Sequence, residues 1–119
     1  DWEHQLLLSA TYWNTAKPNE SDFVQAQMGH ACEWETSMML ALRPDLVKNH
    51  HDAEVVEFGT PFEPANRAWV MKDRSQNGHV GYPADATREK GEKLFELFAA
   101  GTVTLLQKVV DWDGESWEG

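Results

Sequence analysis

Residues 29–44, with the sequence GHACEWETSMMLALRP, decide how the rest of the chain is interpreted. Their larger apolar side chains recur at the three- and four-residue spacing of an amphipathic helix: Trp34, Met38, Met39 and Leu42. We therefore predict one helix over residues 31–43, which Pro44 ends because it disfavours helical geometry at the preceding residue. His30 then lies just before the first turn, where unpaired backbone N–H groups and the helix dipole create a positive potential.

His30 and Glu35 are the candidates for chemistry in this stretch. A histidine exchanges a proton close to neutral pH, and a carboxylate can orient it. The two residues are five positions apart and do not share a face of an ideal helix, so they meet only if His30 crosses the helix start. The structural alternative is a local hydrogen bond for His30 and a buried, helix-anchoring carboxylate for Glu35. Between them, we expect Cys32 to be a small buried residue and Glu33 to be a solvated acid.

The remaining patterns alternate between strands and helices. Three apolar runs predict short strands: residues 5–13, 53–58 and 67–71. A final helix is predicted from Asp85 or Thr87 to about Trp112. It should bury one continuous apolar stripe: Leu94, Phe95, Phe98, Leu105, Leu106, Val109 and Val110. Polar, proline-bearing or glycine-bearing segments predict loops at residues 14–22, 45–52, 59–66 and 72–82, and residues 113–119 predict a loose tail. This alternation favours an α/β layered sheet.

Composition excludes several classes of function. The formal charge is −10 and the pI is near 4.8, which argues against binding to nucleic acid or to an anionic membrane surface. The one cysteine, Cys32, cannot form an internal disulfide, so we expect a reducing cytoplasm. The sequence holds no Walker phosphate loop, CxxC pair, HExxH or GxSxG motif. We interpret the residues His50-His51-Asp52 as a surface loop, because adjacent loop residues seldom chelate a metal without further ligands.

The motifs, taken together, resemble those of the creatininase (creatinine amidohydrolase) family. Residues 29–44 are similar to its Gly-His-Ala…Glu-Thr-Ser segment and following Leu-Arg-Pro, and residues 78–83 (GHVGYP) and 86–91 (ATREKG) are similar to its closing signature. The resemblance implies a three-layer α/β/α sandwich with a mostly parallel sheet. It also implies that residues 1–119 are the carboxy-terminal portion of a single domain.

This resemblance implies a metal-dependent hydrolase that uses divalent zinc or manganese, with metal ligands mainly in an amino-terminal half that is absent here. His30 matches the family's active-site histidine, which passes a proton to the departing nitrogen, and Glu35 matches the acid of the Glu-Thr-Ser motif. Family enzymes are homo-oligomers. The expected partners are therefore a complementary amino-terminal segment, other subunits and a small polar cyclic substrate.

Three further residues are candidates for the substrate site. Trp13 and Trp34 are expected to wall it, and His79 lies between glycines that allow backbone to approach a ligand or a neighbouring subunit. Creatinine itself is disfavoured, because true creatininases carry a tryptophan and an acid where this chain has Ala26-Gln27-Met28. The substrate expected is another polar cyclic amide or related ring. The alternative is a noncatalytic fragment that acts only as a folded, oligomerising domain.

Overall fold

The computed structural model describes residues 5–59, 64–65 and 68–115, and within them all regular secondary structure is helical. The α-helices are α1 (Glu33–Leu42), α2 (Met71–Arg74) and α3 (Arg88–Asp111). Short 3-10 helices lie at Tyr12–Asn14, Glu20–Asp22, Pro44–Leu46, His50–Asp52 and Pro83–Asp85. The helix predicted over residues 31–43 and the long carboxy-terminal helix are therefore confirmed.

The strand predicted over residues 5–13 is wrong in the residues described. Residues 5–11 have no regular structure and are exposed, and the 3-10 helix begins at Tyr12. An apolar run forms a strand only if a neighbouring strand takes up its backbone N–H and C=O groups. No such neighbour lies among the described residues.

The other two predicted strands are also wrong where they are described. In residues 53–58, Val56 forms an isolated antiparallel bridge with Gly81 and the rest is irregular. In residues 67–71, residue 67 lies outside the described part, residues 68–70 are irregular and Met71 begins α2. The described residues therefore do not confirm a three-layer sandwich.

Two compact units divide the described residues, and residues 18–95 form the second of them. Its buried apolar side chains are Cys32, Trp34, Met38, Val80, Ala86 and Leu94. Within this unit α1 and the start of α3 pack backbone against backbone, because a Cβ on Gly91 would lie 2.0 Å from the Ser37 carbonyl oxygen. The Ser37 hydroxyl also accepts a hydrogen bond of 3.2 Å from the Thr87 N–H. Thr87, rather than Asp85, caps α3, since its hydroxyl accepts the Lys90 N–H.

The first unit comprises the described residues up to 17 and from 96 onward. In it Phe98 is buried and meets the Tyr12 ring edge-on at 5.6 Å. Gly101 is needed for a close approach, since a Cβ there would lie 2.4 Å from the Thr15 carbonyl oxygen. The prediction of a continuous buried stripe is wrong, since Leu94 and Phe98 are buried but four of its members are exposed: Phe95, Leu106, Val109 and Val110. Residues 12–15 contact Phe98 and Gly101. Parts of two other predicted segments lie outside the described residues. These are residues 60–63 and 66 of the loop predicted at 59–66, and residues 116–119 of the tail predicted at 113–119.

Candidate functional site

Two hydrogen bonds join the backbone of His30 to the backbone of Val80. The His30 N–H donates to the Val80 carbonyl at 3.0 Å, and the Val80 N–H donates to the His30 carbonyl at 2.8 Å. Gly29 permits this approach, because a Cβ at that position would lie 2.0 Å from the Val80 oxygen. His30 is nevertheless exposed. The structure thus combines a fixed backbone with an imidazole that is open to solvent.

Ala31, the next residue, has a φ of 45°, in the left-handed region that costs a non-glycine residue about 1–3 kcal/mol. Two side chains of α1 hold it there. A carboxylate oxygen of Glu35 accepts the Ala31 N–H at 2.6 Å, and the Thr36 hydroxyl donates to the Ala31 carbonyl at 3.1 Å. The turn between His30 and the helix is therefore fixed by side chains that follow it.

Glu35 reaches the backbone beside His30 instead of the imidazole itself. Its hydrogen bond to Ala31 resembles a capping box, in which an acid in the first turn accepts an N–H that precedes the helix. In the described part of the chain, Glu35 and His30 are linked through this backbone contact. Glu35 therefore fixes the turn that follows His30.

Glu33 is fully buried, so the prediction that it is a solvated acid is wrong. Its carboxylate accepts N–H groups from Val24 and Gln25, both at 2.9 Å, and pairs with the Lys90 ammonium. Sequence reasoning missed this residue because its partners lie in other segments, Lys90 being 57 positions away. The available signal was Lys90 in the ATREKG motif, a basic residue that can balance a buried acid.

The three predicted substrate contacts each have a neighbour within the protein: Trp34, His79 and Trp13. Trp34 is buried and meets the Phe23 ring edge-on at 5.8 Å. His79 is buried, with a ring nitrogen 2.7 Å from the Glu54 carbonyl oxygen. Trp13 belongs to the first unit, where it packs edge-on against its neighbour Tyr12 at 4.9 Å. The substrate-binding role of these three residues stays a prediction.

His50 and His51 form a second histidine cluster, in a 3-10 helix rather than a loop. Their ring centroids are 3.7 Å apart, and the buried Nε2 of His50 has no hydrogen-bond partner among the described residues. Burial lowers the pKa of His50, and the neighbouring His51 lowers that pKa further, against an opposing hydrogen bond with the Ala86 backbone. This environment favours the neutral imidazole.

A metal centre does not fit the residues that the structure describes. In residues 5–59, 64–65 and 68–115, no group of three or more histidine, cysteine or acidic residues is placed to hold a metal ion. The carboxylates nearest to His30 along the chain are already used, Glu33 by Lys90 and two backbone N–H groups, and Glu35 by Ala31.

Comparison with known families identifies the chain. The family model described as Creatininase: Creatinine amidohydrolase matches residues 2–106, most of the 119-residue chain. This protein therefore belongs to the creatininase family, a family of metal-dependent amidohydrolases with an α/β fold. Comparisons with curated proteins and with solved structures gave no match. Among the described helices, none is long and apolar enough to cross a membrane.

Proposed function

We propose that this chain supplies the histidine-containing part of the active site of a metal-dependent amidohydrolase that acts on a polar cyclic amide or a related ring. The observation that carries the proposal is the geometry at the start of α1 in a chain of this family. His30 is exposed on a backbone that Val80 fixes through two hydrogen bonds. An imidazole carried on a fixed backbone has less freedom to lose when it delivers a proton to a leaving nitrogen.

Glu35 supports His30 in this scheme. By accepting the Ala31 N–H, it holds the turn on which His30 stands, and Thr36 holds the carbonyl of the same turn. Trp34, Trp13 and His79 remain the proposed contacts of the substrate.

We further propose that the zinc or manganese ligands come mainly from polypeptide outside residues 1–119. The absence of a metal-ligating group in the described residues supports this. The same polypeptide, or other subunits of a homo-oligomer, would supply neighbours for the exposed apolar run at residues 6–8 and complete the three-layer sandwich as the remainder of a single domain. The single buried cysteine, Cys32, supports a cytoplasmic location.

The second candidate is a noncatalytic domain that folds and assembles. It is favoured by the exposed apolar side chains of the first unit, such as Leu7, which is 95% exposed, and Val110, which is 76% exposed. Metal dependence distinguishes the two candidate functions, because a domain that only folds and assembles needs no metal ion.

The test is hydrolysis of a panel of polar cyclic amides by the protein purified with its natural partners, with zinc or manganese added. His30→Ala should lower kcat by about 100-fold or more, as the loss of a general acid does, with an unchanged unfolding midpoint. His51→Ala is the matched control, since His51 is also exposed and lies in the same unit. Full activity in His30→Ala would overturn the proposal.

A further inference from the structure

We propose that Glu33, charge-paired with Lys90, is a positioning residue for His30. The chemical role of His30 in this inference rests on the proposed function, whereas the positioning of its backbone does not. Glu33 is buried completely, although a buried acid is costly unless every oxygen is satisfied. Its position in the first turn of α1 does not by itself explain why this acid is buried.

The Glu33 carboxylate joins the segment that leads into His30 to the helix that follows it. One oxygen accepts the Val24 and Gln25 N–H groups at 2.9 Å each, and the other pairs with Lys90. In return, the Glu33 N–H at the first turn of α1 donates to the Gln25 side-chain oxygen at 3.0 Å. Residues 24–25 and the start of α1 are thus bonded in both directions, and residues 26–32 form the loop that they close.

Gln25 extends this network to the segment that pairs with His30. Gln25 is buried, and its side-chain oxygen also accepts the Tyr82 N–H at 3.3 Å. A Cβ on the intervening Gly81 would lie 2.8 Å from that oxygen, so the segment fits closely against Gln25. Val80, directly before Gly81, makes both backbone hydrogen bonds to His30. The network therefore holds both segments that the His30–Val80 bridge joins.

Lys90 supplies the balancing charge from α3. Its ammonium pairs with Glu33 and also donates to the Asp85 carbonyl at 2.8 Å. The Lys90 side chain is 22% exposed, whereas that of Glu33 is 0% exposed. Removing either partner leaves the other charge without compensation, with the greater consequence when the buried carboxylate is left.

The experiment is native-state amide hydrogen exchange by NMR on the protein as purified, comparing Glu33→Gln with Glu92→Gln and Leu94→Ala. Glu92 is an exposed acid of α3 and controls for the loss of a carboxylate, and Leu94 controls for a loss of global stability. The readout is the exchange rate of the His30 and Val80 amides divided by that of Phe95, which lies in α3 and in the same compact unit. A structural loss alone changes all three rates together.

Glu33→Gln should raise this ratio by about tenfold, whereas neither control should raise it. An unchanged ratio in a folded Glu33→Gln protein would overturn the proposal. If that variant does not fold, the double variant Glu33→Gln with Lys90→Gln decides, because it leaves no uncompensated buried charge and should raise the ratio in the same direction. Full activity in His30→Ala would instead remove the proposed function and leave this exchange result standing.

Discussion

The two compact units differ in what stabilises them: residues 18–95 form the former, and residues 5–17 with 96–115 form the latter. The former holds a buried acid, a buried amide and two glycines, Gly29 and Gly91, at which an added Cβ would lie 2.0 Å from a backbone oxygen. The latter buries Phe98 and leaves most of its other large apolar side chains exposed. Both units expose large apolar side chains, so the contrast lies in what they bury: close backbone packing and satisfied buried polar groups are concentrated in the unit that contains His30.

The largest effect that tests this comparison is expected for Gly91→Ala. Its Cβ would meet the Ser37 backbone at 2.0 Å, so α1 and α3 must separate, and we expect a loss of about 4 kcal/mol in the free energy of unfolding. Gly101→Ala is the matched helical variant in the other unit, where the approach to Thr15 is 2.4 Å, and it should cost about 1 kcal/mol because that unit can yield. Urea unfolding measures both, and equal losses would remove the contrast.

A smaller effect is expected from two leucines of the same helix. Leu94 is 0% exposed, and Leu94→Ala should cost about 3 kcal/mol as a cavity-forming change. Leu106 is 56% exposed, and Leu106→Ala should change stability by less than about 0.5 kcal/mol, since leucine and alanine have similar helix propensities. A loss from Leu106→Ala comparable to that from Leu94→Ala would show that the first unit buries its stripe against a partner in solution.

The smallest effect concerns His50 in the second unit. Burial lowers the pKa of this residue in the folded protein. Below the ordinary histidine pKa, the unfolded chain therefore binds more protons at His50 than the folded protein does. Stability should therefore fall as the pH drops below the ordinary histidine value of 6.5, and continue to fall until the pH reaches the folded pKa. Thermal unfolding between pH 7 and pH 5 should show this slope in the native protein and a weaker slope in His50→Gln. Identical slopes in the native protein and in His50→Gln would contradict a lowered pKa for His50 in the folded protein.

Local patterns in the sequence were enough for α1 and α3. Their apolar spacing, Pro44 after α1 and Thr87 before α3 are signals carried within a few residues. The strands were not predicted correctly, because an apolar run such as residues 5–13 looks the same whether or not a neighbouring strand is present to pair with it. Which members of the predicted apolar stripe are buried depends on contacts of the same non-local kind.

For the candidate site, the sequence names the residues but does not give their arrangement. His30 and Glu35 were found by their motif, but their link through Ala31 depends on a left-handed φ at a residue type that seldom adopts it. Glu33 was misread because an acid in the first turn of a helix is usually solvated. Its burial follows from Lys90 and Gln25, which only the fold brings to it.

The central claim is that this chain contributes the histidine part of a site whose metal ligands lie on other polypeptide. Native mass spectrometry of the purified protein, read together with its metal content, tests that claim most directly. We predict a complex of this chain with a complementary polypeptide that carries about two divalent ions per pair, as expected of a two-metal hydrolase. A homo-oligomer of this chain alone without metal would contradict the claim, and His30 would then belong to a site that this protein does not complete.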